Sequence, residues 1–329
     1  MEISSKSIKN KAQDLGFHKI GIAKAVETNK ESKNLEAWLL QGKHASMEWM
    51  MKRKNERGNI HNYFPEAKSV ISFGMNYYTD NDHFDFDSEY KFSNYAWGDD
   101  YHNVLKERIY ELLGWIKEEL SDVKGVVCVD TSPVMDKVWA QKAGLGWIGK
   151  HTNLISRDFG SWLFLGELLL DIELEYDQSF NEDLCGSCMA CIDACPTQAL
   201  DQYTIDAGKC ISYMTIEYRG DFKSNQDLDG WIYGCDVCQE VCPWNRKAPK
   251  SADSTWKARK GLKDRKLWDW VRLSQEDFSN QFRKSSVKRT KRKGLLRNVM
   301  TALSACSHPQ ALSGLQIGLK DAEELVRLH

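Results

Sequence analysis

Cys185-Gly-Ser-Cys188-Met-Ala-Cys191-Ile-Asp-Ala-Cys195-Pro196, followed by Cys235-Asp-Val-Cys238-Gln-Glu-Val-Cys242-Pro243, is the stretch on which the reading of this chain turns. The x-x, x-x, x-x-x-Pro rhythm is the spacing with which thiolates hold paired iron–sulfur clusters. Three close cysteines grip one cluster, and the Cys before Pro reaches to the other. Cys185, Cys188, Cys191 and Cys242 are then expected to hold one [4Fe–4S] cluster, and Cys195, Cys235 and Cys238 the second. Ile232 stands where the second run needs its first Cys, so the missing ligand must come from elsewhere; Cys210 is the only other Cys between the runs. Structural zinc also suits Cys-x-x-Cys pairs, although the closing x-x-x-Cys-Pro favours clusters. Disulfides are disfavoured, because nothing at the N-terminus directs the chain to an oxidising compartment.

The 329 residues suffice for two or three domains. Hydrophobic content of 42% and charged content of 28% are ordinary for a globular protein, and the net charge of −2 gives no overall signal for a polyanionic partner. No uninterrupted apolar run of about 18 residues appears, so no membrane partner is expected and the cytoplasm is the default.

Before the first cluster cysteine, helical and strand patterns alternate. A helix is predicted over 4–15, with Ile8, Ala12 and Leu15 on one face, then a strand over His18–Ala23 and a helix over 34–52. Strands follow at Ser69–Met75, Val126–Asp130 and Trp162–Leu170, with a helix over Tyr101–Leu120. The acidic tract Asp80–Glu89 reads as a solvated loop. The alternation argues for an α/β or α+β domain of about 175 residues.

Asp130 closes a predicted strand. Ser132 and Pro133 read as the N-cap and first position of the next helix, which makes Asp130 a candidate catalytic or ligand-binding carboxylate, or merely a loop cap. Gly144, Gly146 and Gly149 permit close backbone approach to a bulky group, yet neither the dinucleotide nor the Walker pattern fits. From Trp256 the chain turns basic and helical, and Arg283–Arg297 carries eight Lys or Arg, the footprint of a nucleic-acid backbone site or of a solvated basic face. A helical hairpin is expected over Leu295–Leu328, with Leu296, Val299, Leu303, Leu312, Leu315 and Leu319 as its core. Cys128 reads as core and, with Cys306, lies outside the cluster set.

Taken together, several segments resemble the epoxyqueuosine reductase family. They are Tyr95-Ala-Trp-Gly-Asp-Asp-Tyr-His102, Asp130-Thr-Ser-Pro-Val with Ala143-Gly-Leu-Gly-Trp-Ile-Gly-Lys150, the Cys185 run, Cys210-Ile-Ser-Tyr-Met-Thr-Ile-Glu217, Tyr233 to Asn245, and Lys291-Arg-Lys-Gly-Leu-Leu-Arg-Asn298. The resemblance covers nearly the whole chain. It implies an α+β architecture in three parts: an N-terminal α/β cobalamin-binding catalytic domain related to reductive dehalogenases over 1–175, a two-cluster ferredoxin-like module over 176–250, and a basic, HEAT-like helical tRNA-binding region over 251–329. Some relatives carry several HEAT-like repeats; this chain has room for about one.

Carried over position by position, the resemblance makes Asp130 the proton donor above cobalt. Arg57, Ser93, Leu154, Leu165, Ser212, Cys235 and Asp236 fall at corrinoid-lining positions, Ser93 replacing the Cys of some relatives. Lys288, Arg289, Lys291, Arg292, Lys293 and Arg297 are the candidate tRNA contacts. The one string near a cobalt-ligating His motif, Asp100-Tyr-His102, has Leu105 where that motif needs Gly, so no lower axial His is signalled. The implied activity is an oxidoreductase reaction of queuosine biosynthesis, the reduction of epoxyqueuosine to queuosine at the wobble position of tRNA. It uses cobalamin and a low-potential electron donor and is expected of a monomer. As donor near neutrality, Asp130 needs apolar surroundings that raise its pKa, which a site roofed by a corrin ring could supply. The competing readings are a corrinoid reductive dehalogenase acting on a small molecule and a simple electron carrier.

Overall fold

The computed structural model describes residues 3–79, 90–222, 226–262 and 264–329; the acidic loop expected over 80–89 lies outside them. The main sheet has four strands in the order Lys19–Lys24, Ser69–Asn76, Leu163–Leu170, Gly125–Cys128. Every pairing in it is antiparallel, so the α+β alternative holds over α/β for this part of the chain. The two central strands are buried almost throughout, which is why each reads as an unbroken run instead of an alternating one.

The two faces of the sheet support different cores. Ile71, Phe73, Met75 and Leu168 pack with the helices Ser5–Asp14 and Tyr101–Glu119. Val70, Cys128 and Leu169 pack with Trp139 and Ala140 of the helix Asp136–Lys142.

Three local expectations are corrected. The helix foreseen over 34–52 is two, Asn29–Leu40 and Glu48–Lys52, because Gly42 (φ 67°) and Ala45 (φ 51°) turn the chain between them. The helix expected from Ser132 begins only at Asp136. Asp130 itself takes φ 51°, leaving an irregular loop between strand and helix. In the C-terminal region, helices Lys291–Ala305, Gln310–Gly318 and Glu324–Arg327 form. Leu296, Val299 and Leu303 are core, but Leu312 and Leu319 are 63% and 61% exposed, Leu312 in the first turn of Gln310–Gly318 and Leu319 at its C-cap.

The three sequence spans share cores. Strand Lys91–Phe92 runs parallel to Trp231–Tyr233, and Tyr90, Phe92 and Trp97 pack with Trp270, Phe282, Leu295 and Val299. Trp256 reaches back into the core of the main sheet. Among the described residues no helix is long and apolar enough to cross a membrane.

Candidate functional site

Asp130 sits on the loop after the edge strand, its side chain 56% exposed. Its Oδ2 lies 3.0 Å from His102 Nε2. The other ring nitrogen, Nδ1, lies 2.7 Å from Asp100 Oδ1. Asp100 is the N-cap of the Tyr101–Glu119 helix and also accepts the His102 backbone N–H, so a single carboxylate caps the helix and orients the ring. Burial alone would discharge the imidazole, but the hydrogen bonds and charges of Asp100 and Asp130 prevail and push His102 up to about 9. For Asp130 burial acts upward, yet the bond and charge of His102, helped by Arg289 and Tyr101, hold it below the ordinary carboxylate value. The protein's own groups therefore hold Asp130 toward its charged form, and only the macrocycle that the expectation invoked could act the other way. The stored proton belongs to His102, and Asp130 is its ionised partner. His102 was missed as a site residue; the only signal was Asp-x-His at a helix start.

Around this pair, Arg57 is 6% exposed and donates from Nη1 to the Ser132 carbonyl at 3.3 Å, tying itself to the Asp130 loop. Its Nε is buried without a hydrogen-bond partner. Leu154 and Leu165 come together against the Asp136–Lys142 helix. Ser93 Oγ donates to Asp236 Oδ1 at 2.7 Å and the Asn94 N–H to Oδ2 at 2.7 Å, a fixed, buried trio beside Cys235. Ser212 is the second residue of the helix Ile211–Ile216, and Cys210 occupies its N-cap position.

The cysteines fall into two neighbourhoods. Burial pushes the Cys191 thiol up to about 11, with Cys242, Cys185 and Cys188 adding to the effect. Burial also raises Cys238, Cys235 and Cys210. Cys210 and Cys195 act on Cys238, Cys238 and Cys210 act on Cys235, and Cys195 acts on Cys210. Cys191 also acts on Cys238, so the neighbourhoods adjoin. The Lys137 ammonium feels Asp136, Asp130 and Cys238 together, bridging the carboxylate site and the second group.

The basic segment divides in two. Lys288, Arg289, Lys291 and Lys293 are exposed. Arg289 is clamped by Glu217, at 2.5 and 2.9 Å, and lies close enough to Asp130 for the two charges to interact. Arg292 and Arg297 are corrected as candidate polyanion contacts. Arg292 forms a bidentate pair with Asp321 and donates to the Leu273 carbonyl. Arg297 is 0% exposed, bonded to the carbonyls of Tyr218, Gly220 and Met214 and stacked 4.0 Å from the Phe222 ring centroid. Arg297 lies in the part of the Lys291–Ala305 helix that is buried on every side, and Arg292 is drawn against Asp321 and the Leu273 carbonyl.

Comparison with known proteins agrees with this arrangement. Residues 57–131 match the family model described as "Epoxyqueuosine reductase QueG, DUF1730", and 184–245 match "4Fe-4S double cluster binding domain". The chain is 44% identical to an epoxyqueuosine reductase of Leadbetterella byssophila over 90% of this chain and 97% of that protein. It is 40% identical to one of a Synechocystis strain, over 86% and 100%. Among solved structures it is similar to an epoxyqueuosine reductase bound to an epoxyqueuosine-modified tRNA-Tyr stem loop (TM-score 0.87, 26% identity, 98% of this chain and 87% of that one). It is also similar to the Streptococcus thermophilus enzyme (TM-score 0.87, 28% identity, 99% and 88%).

Proposed function

Because the chain belongs to the epoxyqueuosine reductase family and is an oxidoreductase, we propose that it reduces epoxyqueuosine to queuosine at the wobble position of tRNA, in the cytoplasm, as a monomer fed by a low-potential donor. The observation that carries the mechanism is the proton-holding His102 clamped between Asp100 and Asp130. The reaction adds two electrons and two protons: both C–O bonds of the epoxide break, a C=C bond forms, and the oxygen leaves as water.

The residues present fit the implied cofactors. Cys185, Cys188, Cys191 and Cys242, and separately Cys195, Cys210, Cys235 and Cys238, are two thiol sets in which charge on neighbouring members opposes ionisation of Cys191 and Cys242, and of Cys210, Cys235 and Cys238. Iron relieves that mutual repulsion, so two [4Fe–4S] clusters suit them. Arg57 with its unused Nε, the apolar Leu154 and Leu165, and the fixed Ser93–Asp236 pair, with Ser212 and Cys235, suit a large flat macrocycle rimmed by amides. Bound cobalamin supplies low-potential reducing chemistry at carbon. The three sequence regions, 1–175, 176–250 and the HEAT-like 251–329, are proposed as functional units serving substrate reduction, electron relay and tRNA binding.

This chain's own residues handle the protons and the substrate. His102 gives up its stored proton through Asp130, which passes it on to the epoxide oxygen. Asp100 keeps the ring oriented through both turns. Arg57 holds the loop through Ser132, and Leu154 and Leu165 exclude water from the reacting carbon. Lys288, Arg289, Lys291 and Lys293 bind phosphates of the anticodon loop, with Arg289 nearest the acid.

The test is anaerobic incubation of the cluster-loaded protein with cobalamin, a strong reductant and epoxyqueuosine-containing tRNA, read by nucleoside mass spectrometry. A cobalamin-dependent nucleoside one oxygen lighter is the expected result. No conversion with clusters and cobalamin demonstrably bound refutes the reading.

A further inference from the structure

Lys150 is 4% exposed, yet among the described residues no carboxylate pairs with it. Its Nζ donates to the Gly186 carbonyl at 2.6 Å and the Cys188 carbonyl at 3.0 Å, and contacts Met189 Sδ at 3.7 Å. All three partners lie inside the Cys185–Cys191 loop. The preceding residue approaches the loop as closely: a Cβ on Gly149 would sit 3.5 Å from Cys185 Sγ. A buried ammonium satisfied only by carbonyl dipoles is costly unless a compensating charge is near. The carboxylates at this end of the molecule are engaged elsewhere. Asp183 accepts from the Cys185 N–H and from the Tyr203 hydroxyl, and Glu182 pairs with Arg157.

The missing counter-charge is the cluster itself. A cubane held by Cys185, Cys188, Cys191 and Cys242 is anionic, because its thiolates outweigh the core, and it becomes more so on gaining an electron. A fixed cation beside it stabilises the reduced form more than the oxidised one. We infer that Lys150 is a potential-setting residue for the first cluster, raising its midpoint above the value it would have without that cation. Exposure makes this cluster the one open to an outside donor, for Cys188 is exposed whereas the second set lies against the carboxylate site. This inference rests on the two-cluster reading given above.

The experiment is an anaerobic redox titration, followed by electron paramagnetic resonance, of the cluster-loaded protein and its Lys150→Gln, Lys150→Met and Lys150→Arg variants, with iron content measured on each. The expected result is a lower midpoint for one of two clusters in Lys150→Gln and Lys150→Met, and a midpoint near the wild-type value in Lys150→Arg. The inference is overturned if both midpoints of Lys150→Gln match wild type, or if Lys150→Arg drops as far as Lys150→Gln. It is equally overturned if the neutral variants lose the cluster's iron outright, since Lys150 is then only a brace. Wild-type protein that never holds two clusters instead refutes the two-cluster reading.

Discussion

At the scale of single residues, the acid is a pair. With His102 raised to about 9 from its ordinary 6.5, the charged clamp is fully present below 6.5 and is lost as pH rises through about 9. Single-turnover rates of the reduced, substrate-bound enzyme should therefore fall across that upper window, and His102→Gln should remove the limb. Asp130→Asn should keep clusters and fold but lose on the order of a hundredfold or more in turnover, the range of positioned acid catalysis. An Asn variant as fast as wild type sinks the assignment of Asp130. This is also where sequence reading reached its limit. Asp130 could be singled out by its place at a strand end and by the family resemblance. Its protonation could not, because the deciding neighbour arrives from a helix 28 positions earlier in the chain. The proposed grouping of Cys210 with Cys195, Cys235 and Cys238 needs no such neighbour to be put forward, since it comes from elimination among few cysteines.

At the scale of elements, the C-terminal basic segment shows why counting charges overstates a binding face. The Lys291–Ala305 helix is buried on every side from Gly294 to Leu303, so Arg297 is enclosed together with Leu295, Leu296 and Val299 although it points away from two of them. Arg297→Ala should leave the salt dependence of tRNA binding alone and destabilise the fold by roughly 1–3 kcal/mol or more, because the buried carbonyls of Tyr218, Gly220 and Met214 lose their donor; urea unfolding measures it. Lys288→Gln combined with Lys291→Gln should do the reverse, preserving stability while lowering the slope of log affinity against log salt by about one to two. An unchanged slope would return these side chains to a solvated role. The helix misplaced at Ser132 has a related cause. Ser-Pro is a sound local start signal, but the chain spends those residues on the loop that Arg57 holds through the Ser132 carbonyl.

At the scale of the whole molecule, the strands and helices were largely visible from apolar periodicity, but their grouping was not, because it rests on contacts between distant segments. Gly98 marks one such seam. A Cβ there would lie 2.2 Å from the Thr255 carbonyl oxygen and 2.6 Å from Trp256 Cα, both backbone atoms that cannot swing away. Gly98→Ala should cost roughly 1–3 kcal/mol or more by overpacking. Calorimetry should show a lower melting temperature for one shared transition; an unperturbed early transition would mean that the N-terminal part melts alone. The parallel pairing of Lys91–Phe92 with Trp231–Tyr233 has its strongest effect while the chain is being made. Tyr90, Phe92 and Trp97 leave the ribosome roughly 140 residues before their partners, a wait on the order of ten seconds at ordinary synthesis rates. Throughout it, an apolar strand stands uncovered on the nascent chain. The yield of intact protein should therefore fall when synthesis of the second half is slowed, because uncovered apolar surface on unfinished chains favours aggregation.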